Sequence, residues 1–395
     1  MKYLFCIGIF FLAFSLVEAQ HTVVFKLKKN PTGHRGDNVF IAGNFNGWEP
    51  QNTAYRLSAN WDNILELSFQ LPKGEYEYKF TRGTWERVEC MHGGKDIANR
   101  YINIQSDTTI EVSIDGWKDD FTLVPKEHTA SKQVYIIDTA FYIPQLNRTR
   151  RIWAYLPEDY STSKKRYPVL YMHDGQNLFD YHTSDRDEWE VDEILDSLIA
   201  KGKQACIVIG IDNGADSRLS EYNLRELVLN GSDSISKKFM PEGKAYVDFL
   251  VNTLKPYIDK KYRTATGPVN TIIAGSSMGA LISYYAALLE PDIFGKAGIF
   301  SPSFWTNPSI GSFTDSLAGR ISSKFFFYAG TKESDNMVAD MKAVQEVLGA
   351  QSSSMIYSVI DPQGEHNAKS WRKWFAEFYV WMMADGFNTV IRLKD

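Results

Sequence analysis

Apolar runs of strand length alternate with segments of helical periodicity through the second half of the chain. The helical segments span residues 246–258, 280–289 and 337–348, and the last of them carries its apolar residues on one face. Two earlier stretches, 134–142 and 151–156, are expected to enter the sheet antiparallel. The alternation predicts a doubly wound, mostly parallel α/β sheet. Its predicted core strands are residues 167–172, 205–211, 271–274, 297–300, 325–329 and 355–360.

The N-terminal part has a different pattern, in which short strands are separated by turn residues. Residues 65–71 and 76–80 alternate between apolar and polar positions on either side of a Pro-Lys-Gly turn, and the pattern continues through 102–114. This predicts a small all-β sandwich of the immunoglobulin-like type. Residues 116–132 are polar and lack periodicity, as a linker does. The expected domains are a sandwich over residues 20–115, a linker over 116–132 and an α/β domain over 133–395.

The first 19 residues have the pattern of a secretory signal peptide. Lys2 gives a positive start, residues 4–17 are almost wholly apolar, and Val17 and Ala19 provide small side chains before a cleavage site. We therefore expect a secreted or periplasmic protein. No other stretch is long and apolar enough to predict a membrane span.

Composition and charge narrow the possible partners. Of 395 residues, 44% are hydrophobic and 23% charged, as in ordinary globular proteins, and the net charge of −5 offers no attraction to nucleic acid or an anionic membrane. Cys6 falls in the signal segment, while Cys90 and Cys206 occur in separate segments. Without a C-x-x-C motif or a His/Cys cluster, neither a metal nor another cofactor is expected.

A candidate nucleophile lies in the sequence Gly-Ser-Ser-Met-Gly at residues 275–279. This G-x-S-x-G motif follows an apolar strand and precedes an apolar helix, which is the context of a nucleophile elbow. The alternative is a plain glycine turn between strand and helix. The helix amino terminus would direct free N–H groups and a positive dipole end at developing negative charge. The motif predicts Ser277 as the nucleophile.

The base and the acid follow from the chain order of this fold, which is serine, acid, histidine. Of the seven histidines only His366 follows Ser277, and it lies in a loop after the last apolar strand. The acid is expected after the strand at 325–330, where Glu333 and Asp335 compete. Asp335 has an alternative role as N-cap of the helix beginning near Asn336, so Glu333 is favoured.

An oxyanion hole needs two backbone N–H groups. One is expected from Met278, directly after the nucleophile, and the other from Gln176 in the loop after an early strand. Gly175 would let that loop approach the substrate. His173 and Asp174 are adjacent in sequence and make a poor metal site, so no metal is expected there.

Residues 131–395 resemble the putative-esterase family of α/β hydrolases. That family includes esterase D, enterochelin esterases, feruloyl and acetylxylan esterases, and mycolyltransferases. In the similar feruloyl esterases a carboxylate stands where Glu333 does. The resemblance implies hydrolysis of carboxylic esters through an acyl-enzyme on Ser277, without a cofactor. It rests on residues 168–176 (PVLYMHDGQ), 275–280 (GSSMGA), 301–305 (SPSFW), 328–333 (YAGTKE) and 364–366 (GEH).

Residues 23–115 resemble starch- and glycogen-binding modules. The segments that carry this resemblance are residues 43–48 (GNFNGW), 78–80 (YKF), 85–86 (WE) and 99–100 (NR). The resemblance implies that Trp48 and Trp85 stack on sugar rings while Lys79 and Asn99 bond to hydroxyls. The alternative is a spacer domain in which both tryptophans pack inward.

Three functions remain after the sequence analysis. The first is a secreted serine esterase that removes acyl groups from a polysaccharide or oligosaccharide, and the second is an esterase for a siderophore trilactone. The third is a glycan-binding surface protein with an inactive hydrolase domain, which a complete Ser277, Glu333 and His366 set argues against. Whether water or a sugar hydroxyl accepts the acyl group is left open.

Overall fold

The computed structural model describes residues 20–384 apart from residues 35, 63, 122–125, 186 and 231–235. The predicted signal peptide lies outside the described residues. The chain divides into two compact units, one reaching to Val124 with Leu229–Lys237 added, and the other holding Pro125–Val228 and the chain from Lys238 onward. No helix in the described ranges is both long and apolar enough to cross a membrane.

The first unit is built from short strands, so the prediction of a β-rich N-terminal part is confirmed. A four-stranded sheet has the order β3-β4-β1-β8, and a three-stranded sheet has the order β2-β5-β7. Alternate residues of β1, Val23, Phe25 and Leu27, are buried in the core of this unit. The strands are β1 (Gln20–Lys29), β2 (Phe40–Gly43), β3 (Ser58–Ala59), β4 (Leu65–Pro72), β5 (Gly74–Thr81), β6 (Glu89–Cys90), β7 (Arg100–Ile104), β8 (Thr108–Ser113) and β9 (Gly116–Trp117).

The second unit contains an eight-stranded sheet with the order β10-β11-β13-β12-β16-β17-β18-β19. The pairings β10·β11 and β11·β13 are antiparallel and the pairings from β13 to β19 are parallel, which confirms the predicted mostly parallel sheet with an antiparallel entry. The strands of this sheet are β10 (Val134–Ile143), β11 (Arg148–Tyr155), β12 (Val169–His173), β13 (Ile207–Ile211), β16 (Thr271–Ser276), β17 (Lys296–Phe300), β18 (Lys324–Gly330) and β19 (Met355–Asp361). Two further strands, β14 (Leu227–Asn230) and β15 (Ser236–Phe239), pair with each other and contain residues of both units.

Helices cover both faces of this sheet. Along β13, Ile207, Ile209 and Ile211 are buried in one core while Val208 is buried in the other, which explains why the strand is apolar throughout. A π-helical segment, Leu250–Leu254, joins α3 to α4. The α-helices are α1 (Val191–Ala200), α2 (Arg218–Glu221), α3 (Gly243–Phe249), α4 (Lys255–Lys261), α5 (Met278–Leu289), α6 (Ile310–Ala318), α7 (Met337–Gln351) and α8 (Ala368–Met383).

The stretch predicted as a linker contributes to both units. Its first residues, Gly116 and Trp117, form β9 and pair with β6. At the other end, Thr129 donates to Glu188 at 2.6 Å, and the Ser131 N–H donates to Asp192 at 2.6 Å. Polar groups in this stretch therefore donate hydrogen bonds to buried carboxylates, and solvent exposure is not the whole reason for their polarity.

Candidate active site

Ser277 occupies a strained turn between β16 and α5. Its backbone has φ 59° and ψ −123°, a conformation that non-glycine residues rarely adopt and that is concentrated at functional sites. The flanking glycines make the turn possible. A Cβ atom on Gly275 would lie 2.7 Å from the carbonyl carbon of Gly279, and one on Gly279 would lie 3.1 Å from Asp174 Oδ2. The G-x-S-x-G sequence thus has the predicted strand–turn–helix context.

The two predicted oxyanion donors lie at the carboxyl ends of neighbouring strands. Met278 is the first residue of α5, and the N–H groups of a first helical turn have no intrahelical acceptor. Gln176 lies in a 3₁₀ turn, Gly175–Asn177, directly after β12. A Cβ atom on Gly175 would come within 2.8 Å of the β13 backbone, so glycine is needed for this close packing. The pairing of the two N–H groups as an oxyanion hole stays a prediction.

His366 and Glu333 are hydrogen-bonded, with 2.7 Å between His366 Nδ1 and Glu333 Oε2. The Glu333 side chain is only 1% exposed, whereas that of His366 is 38% exposed. A carboxylate only accepts, so Nδ1 carries the proton and Nε2 is left as the acceptor. The two loops meet because Gly330 and Gly364 touch: a Cβ on Gly330 would lie 2.3 Å from the Gly364 carbonyl oxygen.

Asp335 is exposed, and its expected role as a helix cap is wrong. The N-cap of α7 is Asn336, without a side-chain cap bond. Ser334 Oγ accepts the N–H of Met337 at 3.2 Å instead, so this hydroxyl supplies the acceptor that was expected from Asp335. The structure therefore brings Glu333, and not Asp335, against the histidine.

Ser277 and His366 line the same cleft of about 360 Å³. It lies at the carboxyl ends of the parallel strands, where open α/β sheets bind their ligands. A cavity of about 430 Å³ at the opposite ends of the strands holds none of the predicted site residues. Ser277 Oγ lies 3.2 Å from the buried Ser303 Oγ. Other residues of the cleft wall are Asp174, Asn177, Asp185, Asp187, Trp189, Asn213, Arg218, Ser276, Asn367, Ala368 and Trp371.

A buried ion pair that the sequence analysis missed forms one wall of this cleft. Arg218 donates from Nε and Nη2 to the two oxygens of Asp174 at 2.7 and 2.8 Å, and Asn213 adds a bond of 2.8 Å. Burial alone would raise the pKa of Asp174, but the charge and hydrogen bonds of Arg218 outweigh it and lower that pKa. No motif marks Arg218 in the sequence, since only the fold brings α2 to β12.

His173 is held in its neutral form. Complete burial lowers the pKa of its imidazole to about 4, and its Nδ1 lies 3.0 Å from the Tyr246 hydroxyl. It packs against the first turn of α5, because a Cβ on Gly279 would be 3.3 Å from His173 Cβ. These contacts give His173 a packing role between β12 and α5.

The predicted sugar-binding residues of the first unit fall into two groups. Trp48 and Trp85 lie side by side, with ring centroids 6.3 Å apart and planes at 43°, and neither ring belongs to the core cluster of that unit. Trp85 is 41% exposed. Lys79 instead donates to the Ile97 carbonyl at 2.7 Å, and Asn99 donates to Glu77 at 2.9 Å.

Comparison with known proteins identifies the family of the second unit. Residues 143–378, more than half of the chain, match the family described as Putative esterase. This chain belongs to that family. Membership supports a hydrolase acting on esters, and the α/β-hydrolase fold predicted from the sequence is confirmed.

Individual relatives of this esterase-family chain cover different parts of it. The uncharacterized protein YbbA of Bacillus subtilis (strain 168) is 25% identical over 254 residues, which are 61% of this chain and 95% of YbbA. An alpha-amylase of Niallia circulans is 36% identical over 83 residues, which are 20% of this chain and only 6% of that enzyme. The structure of the enterobactin esterase FES from Shigella flexneri is similar with a TM-score of 0.51 at 16% identity, covering 92% of each chain. That likeness concerns the fold alone.

Proposed function

We propose that this protein is a serine esterase that hydrolyses carboxylic esters through an acyl-enzyme on Ser277. The observation that carries the proposal is one cleft lined by both a strained serine and a histidine whose Nδ1 is bonded to a buried glutamate. Nucleophile, base and orienting acid are the three groups that acyl transfer of this kind requires.

In the proposed reaction His366 transfers the Ser277 proton to the leaving alcohol and later returns a proton from water to Ser277. Ser277 Oγ attacks the ester carbonyl carbon while His366 Nε2 takes the serine proton. Glu333 holds the imidazole and stabilises its positive charge, and the N–H groups of Met278 and Gln176 donate to the oxyanion. His366 then protonates the leaving alcohol as its bond to the carbonyl carbon breaks. A water molecule next attacks the acyl carbon while His366 takes one of its protons. His366 passes this proton to Ser277 Oγ as the acyl–serine bond breaks, which releases the acid.

For the substrate, we propose acyl groups on a polysaccharide or oligosaccharide outside the cell. Support comes from the paired tryptophans of the first unit, because flat apolar rings suit the C–H faces of sugars. Further support comes from the 83-residue stretch shared with an alpha-amylase and from the signal-like residues 1–19. A siderophore trilactone is the second candidate, and the enterobactin esterase of similar fold is the reason to include this substrate in the test.

A fluorophosphonate probe followed by a substrate panel tests the proposal. The probe forms a covalent bond with an activated serine, and we expect mass spectrometry to locate it on Ser277. The panel holds acetylated and feruloylated oligosaccharides beside a trilactone, so that the preferred substrate separates the two candidates. Absence of labelling and of turnover on every ester would contradict the esterase function.

A further inference from the structure

Ser301 lies between the nucleophile and the acid. It directly follows β17, which pairs with β16 on one side and with β18 on the other. Ser301 therefore lies at the carboxyl ends of the strands, between Ser277 and Glu333. Its side chain is fully buried, and its backbone has φ 48°, a strained value for serine. The N–H of Ser301 donates to the Tyr328 carbonyl at 2.7 Å, which anchors this conformation.

The direction of the hydrogen bonds through Ser301 is fixed by chemistry. Trp371 Nε1 lies 2.8 Å from Ser301 Oγ, and an indole N–H only donates. The serine oxygen therefore accepts from Trp371, and its own proton points to Glu333 Oε1 at 2.7 Å. The N–H of Gly330 donates to the same oxygen at 2.6 Å. Glu333 Oε1 thus receives two donors, which leaves Oε2 for His366.

We propose that Ser301, oriented by Trp371, is a positioning residue that fixes which carboxylate oxygen of Glu333 faces His366. This inference rests on the proposed function of the triad. The terminal torsion of glutamate is intrinsically soft, so the carboxylate plane needs fixed donors to hold it. The site is too buried for bulk water to replace a missing donor at Glu333. Trp371 also packs edge-on against His366, with centroids 5.3 Å apart, and so contacts both the histidine and the serine that donates to Glu333.

Ser301→Ala in the full-length protein tests this role. We expect kcat on a nitrophenyl ester to fall about 10- to 100-fold, as when catalytic groups are slightly misplaced, with KM unchanged because Ser301 does not line the cleft. Ser323→Ala is the matched control, since that serine is equally buried but lies at the opposite end of the sheet. The control should retain wild-type kcat.

A double-mutant cycle separates positioning from simple structural support. If Ser301 acts through Glu333, then Ser301→Ala has no further effect on kcat once Glu333→Ala is present. Equal losses in both backgrounds, or wild-type kcat for Ser301→Ala alone, would overturn the inference. If Ser301→Ala fails to fold, Trp371→Phe provides a second test, because it removes the indole N–H that donates to Ser301 Oγ. It should then lower kcat only where Glu333 is intact, with Trp381→Phe as its control.

The two proposals fail in different ways. Wild-type turnover by Ser277→Ala would contradict the proposed serine-esterase function. The positioning role of Ser301 would then fail as well, because it rests on that function. If Ser277→Ala is inactive but Ser301→Ala lowers kcat equally with and without Glu333, the esterase function stands. Only the positioning role of Ser301 is then rejected.

Discussion

At the residue scale, the site depends on a few backbone positions that only small residues tolerate. Gly275 and Gly279 allow Ser277 to stand in its turn, and Gly330 and Gly364 allow the acid and base loops to touch. A methyl group at any of these four positions would meet another atom at 2.3–3.1 Å. The chemistry therefore requires glycines at both ends of the triad as well as the triad side chains.

Replacing the nucleophile gives the first prediction at this scale. Ser277→Ala should lower kcat for nitrophenyl acetate by several orders of magnitude, because loss of a triad nucleophile leaves only binding and oxyanion stabilisation. Steady-state kinetics, with circular dichroism to verify the fold, measure this. The adjacent Ser276→Ala provides the comparison and should keep most of the activity.

Glu333→Ala and Asp335→Ala form a matched pair of carboxylate deletions. Glu333→Ala should lower kcat about 100-fold or more, since the histidine loses the group that fixes its tautomer. Asp335 is exposed, so Asp335→Ala should remain near wild type in both kcat and thermal stability. Loss of activity in Asp335→Ala with Glu333→Ala little affected would show that the acid is wrongly assigned.

The proposed triad could be predicted from the sequence because each member carries a local or ordinal signal. Ser277 has a motif, His366 is the only histidine after it, and Glu333 follows the next to last strand of the sheet. Arg218 has no such signal. Ser301 begins one of the segments that resemble the family, but the sequence does not show its role, because the contacts of both residues depend on which elements become neighbours. Strand order is a property of tertiary packing, which a periodicity pattern does not encode.

At the scale of elements, the parallel strands were predictable because they are buried on both faces and appear as unbroken apolar runs. Helices α1, α2, α6 and α8 were not predicted. In α8 the buried residues Phe375, Phe378, Tyr379 and Met382 do follow helical spacing, but its many aromatic residues have only modest helix propensity. Packing on the sheet, rather than local preference, stabilises this helix.

The first turn of α1 contributes to an acidic cluster, in which Glu188 and Asp192 are buried and Glu193 is partly exposed. Burial, and next the Asp192 charge, raise the pKa of Glu193 to about 8, and burial also raises the pKa of Asp192. The folded protein therefore binds a proton here more tightly than the unfolded chain does. Stability from this group is complete below the ordinary pKa of 4.5 and is lost as the pH rises through about 8.

Glu193→Gln should remove this pH dependence. Because Glu193 is partly exposed, solvent screening limits the effect, and we expect a gain on the order of 1–2 kcal/mol in unfolding free energy near pH 8 and little change near pH 5. Urea unfolding of variant and wild type at both pH values measures the difference. If the free energies of unfolding of the two proteins differ by the same amount at both pH values, Glu193 is not the titrating group.

At the scale of the whole molecule, the first unit is proposed to hold the enzyme on its glycan. The full-length protein should be retarded on a polysaccharide affinity gel, with a dissociation constant between about millimolar and micromolar, because one stacked site buries little area against its ordering cost. Trp48→Ala with Trp85→Ala should abolish retention and leave small-ester hydrolysis unchanged.

Trp61→Ala is the control for that experiment, since Trp61 is fully exposed at 105% without belonging to the tryptophan pair. It should keep wild-type retention. Unfolding of the double variant would support the alternative in which the two tryptophans pack inward, and wild-type protein that passes every glycan gel without delay would contradict sugar binding by this unit.

The order of the strands has a consequence for how the protein loses activity on warming. The proposed nucleophile, Ser301, the acid and the base follow β16, β17, β18 and β19 in turn, and β19 is one of the two outermost strands of the described sheet. Edge strands open by local fluctuation at lower free energy than central ones. Amide hydrogen exchange should therefore be faster in β19 than in β16. On warming, local opening of β19 should displace His366 and stop catalysis reversibly, while Ser277 is still held in its native turn.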